Sequence, residues 1–487
     1  MTDGMDTGHP AGAGVSVATS DRVARLLAEP TAPLGALAAP GALVEGLAAG
    51  GLAPEAADRH ARRLARCARA LLDAGVPPDR AACALAVPGR IEVLGKHTDY
   101  AGGRSLLAAV EQGIAMIAAA RPDARVSIHD LGCAVHAAFD LSPDLHTEPG
   151  DWTNYAMTVA RRLARDFPRV RRGADVAFES DLPPAAGLSS SSALVVALGI
   201  ALGAVNEIAR DDGFRGVVAL DEDLATYLAA VENGAPFRGL GGDRGVGTQG
   251  GGEDHTAILC ARPGHLVQYA FLPTRLERVV PLPAGHVFAV GVSGVHAAKT
   301  GGALELYNRA SRQARRIAEL WRGATGRADT TIGAALEAEP GAAERLRAII
   351  AAADHGVAPA AALLARLDQF IAETREIIPA AADALAAGDL AAFGSAVDRS
   401  QALAERALGN QVEETVFLAR SARELGAAAA SAFGAGFGGS VWALVEEADA
   451  ARFLDAWRKA YLARFPERAA EARFFTTRAG TAALRAL

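Results

Sequence analysis

The chain has 487 residues, of which 51% are hydrophobic and 22% are charged, and its formal net charge is -7. About two to four domains are expected at roughly 100–200 residues each, and the composition is that of a globular protein with a sizeable core. The mild acidity provides no basic surface for a polyanion, so nucleic acid is excluded as an expected partner.

The cysteines and the apolar runs indicate the compartment. The 4 cysteines include no CxxC pair, which argues against a disulfide framework and against a zinc ribbon. No apolar run reaches the roughly 18–20 residues that span a bilayer, and the first ten residues are too acidic and polar for a signal peptide. We therefore expect a cytoplasmic protein without a membrane segment.

The first half of the chain begins with a weakly patterned segment. Residues 1–55 are rich in Gly, Ala, Pro and Thr, which predicts a loosely structured extension with short helices. From Pro54 to Ala74 apolar residues recur at helical spacing, which predicts an amphipathic helix. Short strand-like runs follow, then a helix through WTNYAMTVARRLARDF, and then an apolar helix after the serines at 189–192.

The second half repeats this order of strands before helices. The glycine-rich residues 231–253 predict a loop, strand-like HVFAVGVSG follows near Pro281, and Ala-rich helices continue to about Ala430. The fold class is therefore α+β, with an N-terminal lobe at 56–280, a C-terminal lobe at 281–487 and a cleft between them.

Two glycine patterns imitate nucleotide-binding motifs. Gly89 to His97 resembles a P-loop, but five residues separate its glycines and His97 stands where the magnesium-binding Ser or Thr belongs. Gly434-x-Gly436-x-x-Gly439 fits the dinucleotide pattern, but a short Ala-rich helix is expected before it and a strand after it, the reverse of that motif.

A third stretch, PPAAGLSSSSA from Pro183, stands directly before the apolar helix. Glycine allows close approach of a ligand, and the N–H groups at a helix N-terminus point towards one spot with partial positive charge. The serine hydroxyls add donors for phosphate oxygens. The simpler alternative is a serine-rich cap on a core helix.

Three motifs occur together in one order: PGRIEVLGKHTDYAGG from Pro88, the serine stretch, and the late GAGFGGS. This order resembles that of the GHMP small-molecule kinases, and the first motif resembles the sugar signature of the galactokinase family. The resemblance runs from about Pro88 to Leu487 and implies the two-lobed GHMP kinase fold, with the active site in the cleft between the lobes.

The resemblance also implies a role for each matching residue. Asp254 matches the catalytic aspartate and Arg90 the arginine beside the reacting hydroxyl. The matching sugar-binding positions are Lys96, His97, Asp99, Gly251 and Tyr307. The matching ATP-binding positions are Gly187, Leu188, Ser189, Ser190, Ser191, Ser192 and Trp152, and Mg²⁺ is expected on Ser191 and Glu232.

The residue types suit phosphoryl transfer, which needs positioning and charge neutralisation more than covalent chemistry. An Asp–Arg pair around the reacting hydroxyl keeps the carboxylate able to accept its proton. Mg²⁺ prefers oxygen ligands and retains waters, so one hydroxyl and one carboxylate suffice. Each residue also has an ordinary alternative: Asp99 caps a turn, Tyr307 packs in a helix, and Glu253, Asp254 and His255 form a metal cluster. Adjacent residues on an extended segment point in opposite directions, which argues against that cluster.

The sequence departs from the family pattern at the sugar signature. Lys96 replaces a glutamate, Glu92 stands where asparagine is usual, and the segment between Glu232 and Asp254 is longer than usual. An ammonium only donates hydrogen bonds, so Lys96 suits a C6 hydroxyl and suits a C6 carboxylate better. The alternative is that Lys96 pairs with Glu92 or Glu253 and never touches the substrate.

The resemblance implies an ATP- and Mg²⁺-dependent sugar 1-kinase, with galactose as the first candidate and a uronic acid as the alternative. Two further hypotheses stay open: a non-catalytic sugar sensor, and a GHMP kinase acting on mevalonate or homoserine. The expected partners are the sugar and ATP, and the expected state is a monomer or weak homo-oligomer.

Overall fold

The structure is a computed structural model that describes residues 20–146, 152–184, 186–295, 302–353 and 359–487, with the backbone alone for 302–307. The strands are β1 (Ala32–Pro33), β2 (Ala81–Leu94), β3 (Arg104–Ala120), β4 (Arg125–Asp130), β5 (Val135–Asp140), β6 (Ala174–Ser180), β7 (His265–Ala270), β8 (Arg275–Pro281), β9 (His286–Val292), β10 (Ala429–Phe433), β11 (Ser440–Glu446), β12 (Arg473–Thr477) and β13 (Leu484–Arg485).

Helices occupy the connections between these strands. The helices are α1 (Asp21–Leu26), α2 (Gly41–Ala49), α3 (Pro54–Asp73), α4 (Thr153–Asp166), α5 (Ser190–Val205), α6 (Asp212–Val217), α7 (Asp221–Asn233), α8 (Glu253–Cys260), α9 (Gly302–Thr325), α10 (Ile332–Glu337), α11 (Ala342–Ala352), α12 (Ala360–Ile371), α13 (Ile378–Ala386), α14 (Leu390–Leu403), α15 (Glu413–Glu424) and α16 (Ala450–Arg464). Among the described helices, none combines the length and apolar character needed to cross a bilayer.

Two sheets form the framework of the two lobes. The larger sheet has the strand order β1-β2-β3-β6-β4-β5, with β13 beside β2 and with β7 and β8 extending from β3. The smaller sheet has the order β10-β11-β9-β12, and its neighbouring strands are antiparallel. One hydrophobic cluster includes Val87 and Met116 of the first sheet and Val290 and Trp442 of the second, so a continuous core joins the lobes.

Residues 20–55 contain the predicted short helices, α1 and α2, but this part of the chain is packed and not loose. Leu34, Leu37, Leu43 and Leu47 are fully buried, and they pack in one cluster with the apolar face of α3. The leucines are too irregularly spaced to reveal one long helix, but they cover the apolar side of α3 and thereby stabilise it.

The predicted boundary between the lobes at 280/281 falls at the last residue of β8, and the chain returns to the first sheet at its end. β13 pairs antiparallel with β2 of the first sheet, with Leu484 opposite Ala86. The C-terminal segment therefore completes the sheet that carries the sugar signature.

Candidate active site

A polar cavity opens between the lobes and encloses about 500 Å³ of space, including the part open to solvent. Its walls come from β2, the turn after β2, α5, α7, α8 and the loop between β10 and β11. The lining residues are Arg90, Glu92, His97, Asp99, Tyr100, Ser192, Glu232, Asn233, Thr248, Gly250, Gly251, Glu253, Asp254, His255, Gly434 and Ala435. The cavity lies between the lobes, where the active site was expected.

Arg90 and Asp254 meet in this cavity. The Nε of Arg90 donates to Oδ1 of Asp254 at 2.7 Å, and the Oγ of Ser189 donates to Oδ2 at 2.6 Å. Ser192 adds a longer hydrogen bond to Oδ2 at 3.4 Å. Burial lowers the pKa of Arg90, but nearby carboxylates, Asp254 first, outweigh this effect and leave the pKa above its ordinary value. The carboxylate of Asp254 is therefore held beside a permanent cation.

Asp254 lies in the first turn of a helix, not on an extended segment as expected. Glycine loses more conformational entropy in a helix than other residues, so the glycines before Glu253 do not extend α8 towards its N-terminus. The helix starts after Gly252, and Asp254 in its first turn lies beside α5. The N–H of Glu253 donates to Oδ2 of Asp99 at 3.1 Å. Burial raises the pKa of Asp99, and hydrogen bonds from the backbone of Glu253 and Tyr100 oppose this shift. A Cβ at Gly251 would clash with the Asp99 carboxylate, so only glycine fits there.

The serine stretch forms a tight turn at the N-terminus of α5. Ser189 precedes the helix with φ 60°, a left-handed conformation that is unusual for a residue other than glycine. Ser190, Ser191 and Ser192 form the first turn of α5, so the positive end of the helix dipole lies at the serine stretch. This geometry fits an anion such as a phosphate group.

The late glycine motif is the turn between β10 and β11, and it packs on the serine stretch. The hydroxyl of Ser440 donates to the carbonyl of Ala186 at 2.5 Å, and Arg90 donates to the carbonyl of Gly187. Gly434 has φ 79° and approaches the backbone of Gly187 so closely that a Cβ would lie 3.2 Å from the carbonyl oxygen. The glycines thus allow the turn of one lobe to pack closely against the serine stretch of the other.

His97 also links the two lobes. Its Nε2 lies 3.1 Å from the carbonyl oxygen of Ala435, and its Nδ1 lies 2.9 Å from the Tyr100 hydroxyl. Burial lowers the pKa of His97 to about 4, and the neighbouring Arg366 contributes to this shift. The neutral ring therefore donates to Ala435 and accepts from Tyr100 while its edge lines the cavity.

Lys96 lies in the signature but is not among the residues that line the cavity. Its side chain is only 1% exposed, and its Nζ donates to Ser431 at 2.8 Å and to Ser400 at 3.3 Å. Ser400 in turn donates to the buried carboxylate of Glu373 at 2.9 Å. The ammonium is directed into the C-terminal lobe, so the structure does not bring Lys96 to the substrate side with the other signature residues.

Glu232 lies near the end of α7, is buried, and lines the cavity opposite the serine loop. Its Oε2 lies 3.0 Å from Nε2 of His255. Within the described part of the chain, no three His, Cys, Asp or Glu side chains are grouped to hold a metal ion by themselves. A carboxylate at Glu232 and a hydroxyl at Ser191 are nevertheless the oxygen donors that suit Mg²⁺ shared with ATP phosphates.

The long segment between Glu232 and Asp254 is anchored to α4. Asp243 forms a buried ion pair with Arg161 at 2.9 Å, and the N–H of Val246 donates to the carbonyl of Glu232 at 2.8 Å. Asn233 also accepts from the N–H of Gly250 at 3.0 Å. This segment is therefore part of the wall of the cavity.

Trp152 is another predicted residue that does not line the cavity. Trp152 precedes α4, is half-buried and packs against the main core. The side chain of Tyr307 lies outside the described residues, although its backbone belongs to α9.

Glu92 and Glu253 are cavity residues that the sequence motifs did not select. Glu92 follows Arg90 by two positions on β2, and side chains two apart on a strand share a face, so this alternation alone could have found Glu92. Glu253 precedes the catalytic candidate and accepts a hydrogen bond from Ser105 at 2.8 Å. Burial raises the pKa of both carboxyls, that of Glu92 to about 7 and that of Glu253 well above its ordinary range.

Comparison with known proteins gives matches along most of the chain. The family description "GHMP kinases N terminal domain" matches residues 154–260, "GHMP kinases C terminal" matches 381–463, and "Galactokinase galactose-binding signature" matches 75–120. A galactokinase of Chloroflexus aurantiacus is 30% identical over 400 residues, covering 80% of this chain and 90% of the relative. A galactokinase of Chloroflexus aggregans is 29% identical over 396 residues with the same coverage.

A solved structure supports the same fold. The crystal structure of Lactococcus lactis galactokinase complexed with galactose superposes with a TM-score of 0.68 at 23% identity, covering 83% of this chain and 95% of that one. The α+β, two-lobed GHMP kinase fold predicted from the motifs is therefore confirmed. With both lobes matched by the family descriptions and a full-length relative at 30% identity, the chain belongs to the galactokinase family of the GHMP kinases.

Proposed function

We propose that this protein is a galactokinase, which transfers the γ-phosphoryl group of ATP to the C1 hydroxyl of galactose. The observation that carries the proposal is the ion pair of Arg90 with Asp254, hydrogen-bonded to Ser189 of the phosphate loop. This arrangement supports the proposal, because it brings together a carboxylate, a guanidinium and the N-terminus of a helix in a chain whose relatives are named galactokinases.

Each part of the reaction has a group to perform it. Asp254 orients the C1 hydroxyl and accepts its proton as the new bond from oxygen to phosphorus forms. The bond between the γ-phosphorus and the bridging oxygen breaks, and ADP leaves. The guanidinium of Arg90 offsets the negative charge between Asp254 and the phosphates, and the N–H groups at the start of α5 bind phosphate oxygens.

Mg²⁺ is the second part of the proposal. Glu232 and Ser191 would hold the ion together with ATP phosphates, and the bound ion neutralises phosphate charge. Asp99 and the backbone around Gly251 would contact sugar hydroxyls, His97 would close the cavity, and Tyr307 and Trp152 keep their predicted contacts with sugar and adenine. The cytoplasmic location and the monomeric or weakly associated state also stay predictions.

The metal proposal predicts the behaviour of Glu232→Gln. The amide keeps the size of the side chain but is a much weaker Mg²⁺ ligand, so we expect the Mg²⁺ concentration for half-maximal activity to rise by about 10-fold to 100-fold. ADP release is measured against Mg²⁺ concentration at saturating ATP and sugar, and sugar affinity is measured by calorimetry. An unchanged Mg²⁺ dependence would remove Glu232 from the metal site.

The substrate proposal is tested with a panel of free sugars. ATP-dependent ADP release is measured with galactose, galacturonate, N-acetylgalactosamine, arabinose and glucose, with Asp254→Ala as the inactive control. We expect turnover of galactose that collapses in the variant. Sugar binding without turnover of any sugar would instead favour the non-catalytic sensor.

A further inference from the structure

Glu92 has a buried carboxyl group, and one of its two oxygens has no hydrogen-bond donor among the described residues. Its side chain is 1% exposed, it lines the cavity, and its Oε1 has no hydrogen-bond partner among the described residues. Buried polar atoms almost always have a partner, so an orphaned acceptor on a cavity wall indicates a donor that arrives with a ligand.

The donors near Glu92 are engaged with other groups, so Oε1 is left to accept a hydrogen bond from a ligand. Glu253 shares a hydrogen bond with Glu92, and the high pKa of Glu253 means that Glu253 carries the proton and donates it. The ammonium of Lys96 acts on Glu92 through its charge, but it donates its hydrogen bonds to Ser400 and Ser431. Arg90 is engaged with Asp254 and Gly187.

The position of Glu92 identifies the part of the sugar that it faces. Arg90 and Glu92 lie two residues apart on the same face of β2, which separates them by about 7 Å along the strand. That separation is similar to the width of a hexose ring. If the reacting C1 hydroxyl lies at Arg90 and Asp254, Glu92 faces the opposite side of the ring, where C4 and C6 carry their hydroxyls.

We propose that Glu92 is a specificity-determining residue that accepts a hydrogen bond from the C4 or C6 hydroxyl of the sugar. The proposal rests on the proposed function, because that function sets the direction of the sugar in the cavity. It also identifies the substrate class as a neutral hexose. A uronic acid would bring a carboxylate against Glu92, Glu253 and Asp99. The charge of Lys96 already acts on Glu92, and its ammonium does not line the cavity but donates to Ser400 and Ser431, so it offers the new carboxylate no hydrogen bond.

The test combines a change in the protein with a change in the sugar. Galactose, 2-deoxygalactose, 4-deoxygalactose and 6-deoxygalactose are assayed with the wild type and Glu92→Gln, and kcat/KM is measured for each pair. The assays are run at about pH 8.5, above the pKa of about 7 of Glu92, so that this carboxyl is ionised. Hydrogen bonds to charged groups correspond to about 10-fold to 100-fold in kcat/KM, and we expect this loss in the wild type when the contacted hydroxyl is removed. In Glu92→Gln the removal of the same hydroxyl should lower kcat/KM by less than about threefold, because the strong acceptor is already absent.

The control sugar and the control variant separate contact from stability. The loss for 2-deoxygalactose should be equal in both proteins, because C2 lies next to the reacting carbon. Glu179→Gln makes the same chemical change in a surface ion pair with Arg66 and should leave every ratio unchanged. Equal losses for all three deoxysugars in the wild type and Glu92→Gln would overturn the proposal and leave Glu92 a structural residue.

Failure of the proposed function gives a different result. Without galactose turnover by the wild type there is no kcat/KM to compare, and the function itself is contradicted. If galactose is turned over but the effects of Glu92→Gln and of hydroxyl removal on kcat/KM are independent and additive, only the role of Glu92 is contradicted. A galacturonate kcat/KM equal to that of galactose would likewise contradict the assignment of a neutral hexose.

Discussion

Replacement of Asp254 by asparagine is expected to lower kcat by about 10²-fold to 10⁴-fold while the affinity for galactose changes little. The amide has nearly the same shape, and its one oxygen still accepts from Arg90. Its NH2 group then faces Ser189, whose hydroxyl accepts instead of donating, so the cavity should be preserved. The amide cannot take up the proton of the sugar hydroxyl. The loss should therefore appear in kcat measured by ADP release and not in the dissociation constant measured by calorimetry.

A matched control for this change is Asp455→Asn. Asp455 forms an exposed ion pair with Lys459 on the surface of α16, and its loss should leave kcat within the error of the assay. A kcat for Asp254→Asn within tenfold of the wild type would contradict the role of Asp254 as proton acceptor. A large loss of sugar affinity with unchanged kcat would assign Asp254 to binding alone.

Replacement of Lys96 by methionine is expected to destabilise the protein by about 3–5 kcal/mol, the cost of leaving a buried charge without its partner. The ammonium donates to Ser400 and Ser431, Ser400 donates to Glu373, and the charge of Lys96 acts on the carboxyl of Glu92. All three charged residues are at most 1% exposed. Methionine fills the space but leaves both carboxyls without the nearby cation. The thermal and urea midpoints of unfolding should both decrease.

The chain offers a second lysine as the control. Lys459 is 73% exposed in an ion pair with Asp455, so Lys459→Met should change the free energy of unfolding by less than about 1 kcal/mol. If Lys96→Met leaves the midpoints of unfolding unchanged but shifts the preference between galactose and galacturonate, the structural role of Lys96 is contradicted. Lys96 would then contact the substrate, as the sequence predicts.

The motifs were sufficient to select Arg90 and Asp254, which the structure pairs, while their catalytic role stays a prediction. The Gly-rich serine stretch before an apolar run predicted a phosphate-binding helix start, and α5 begins at Ser190. The regular apolar spacing from Pro54 predicted a helix that ends within one residue of Asp73. Such signals are local, so a single sequence contains them.

Side-chain direction was harder to predict than position in the motif. Lys96 stands at a sugar-binding position of the signature, but Gly95 has φ 120° and the turn that follows directs Lys96 into the C-terminal lobe. Its partners Ser400 and Ser431 lie more than 300 residues further along the chain. No local pattern contains such contacts.

Burial also overrode local propensity. The Ala-rich segment before Gly434 was expected to be helical, but Ala429–Phe433 forms β10, which pairs with β11. Every residue of this strand is buried, so packing on both faces favours the strand. Asp254 shows the opposite case, since a short helix replaced an extended segment. Alanine fits both structures, so tertiary packing decides between them.

The most direct test of the account is the identity of the product formed from galactose and ATP. The wild-type protein is incubated with both and Mg²⁺, and the product is examined by phosphorus NMR with coupling to the sugar protons. We expect a phosphate coupled to the anomeric proton, with one ADP released for each sugar consumed, and no such product with Asp254→Asn. A phosphate on another carbon, or no transfer to galactose at all, would contradict it.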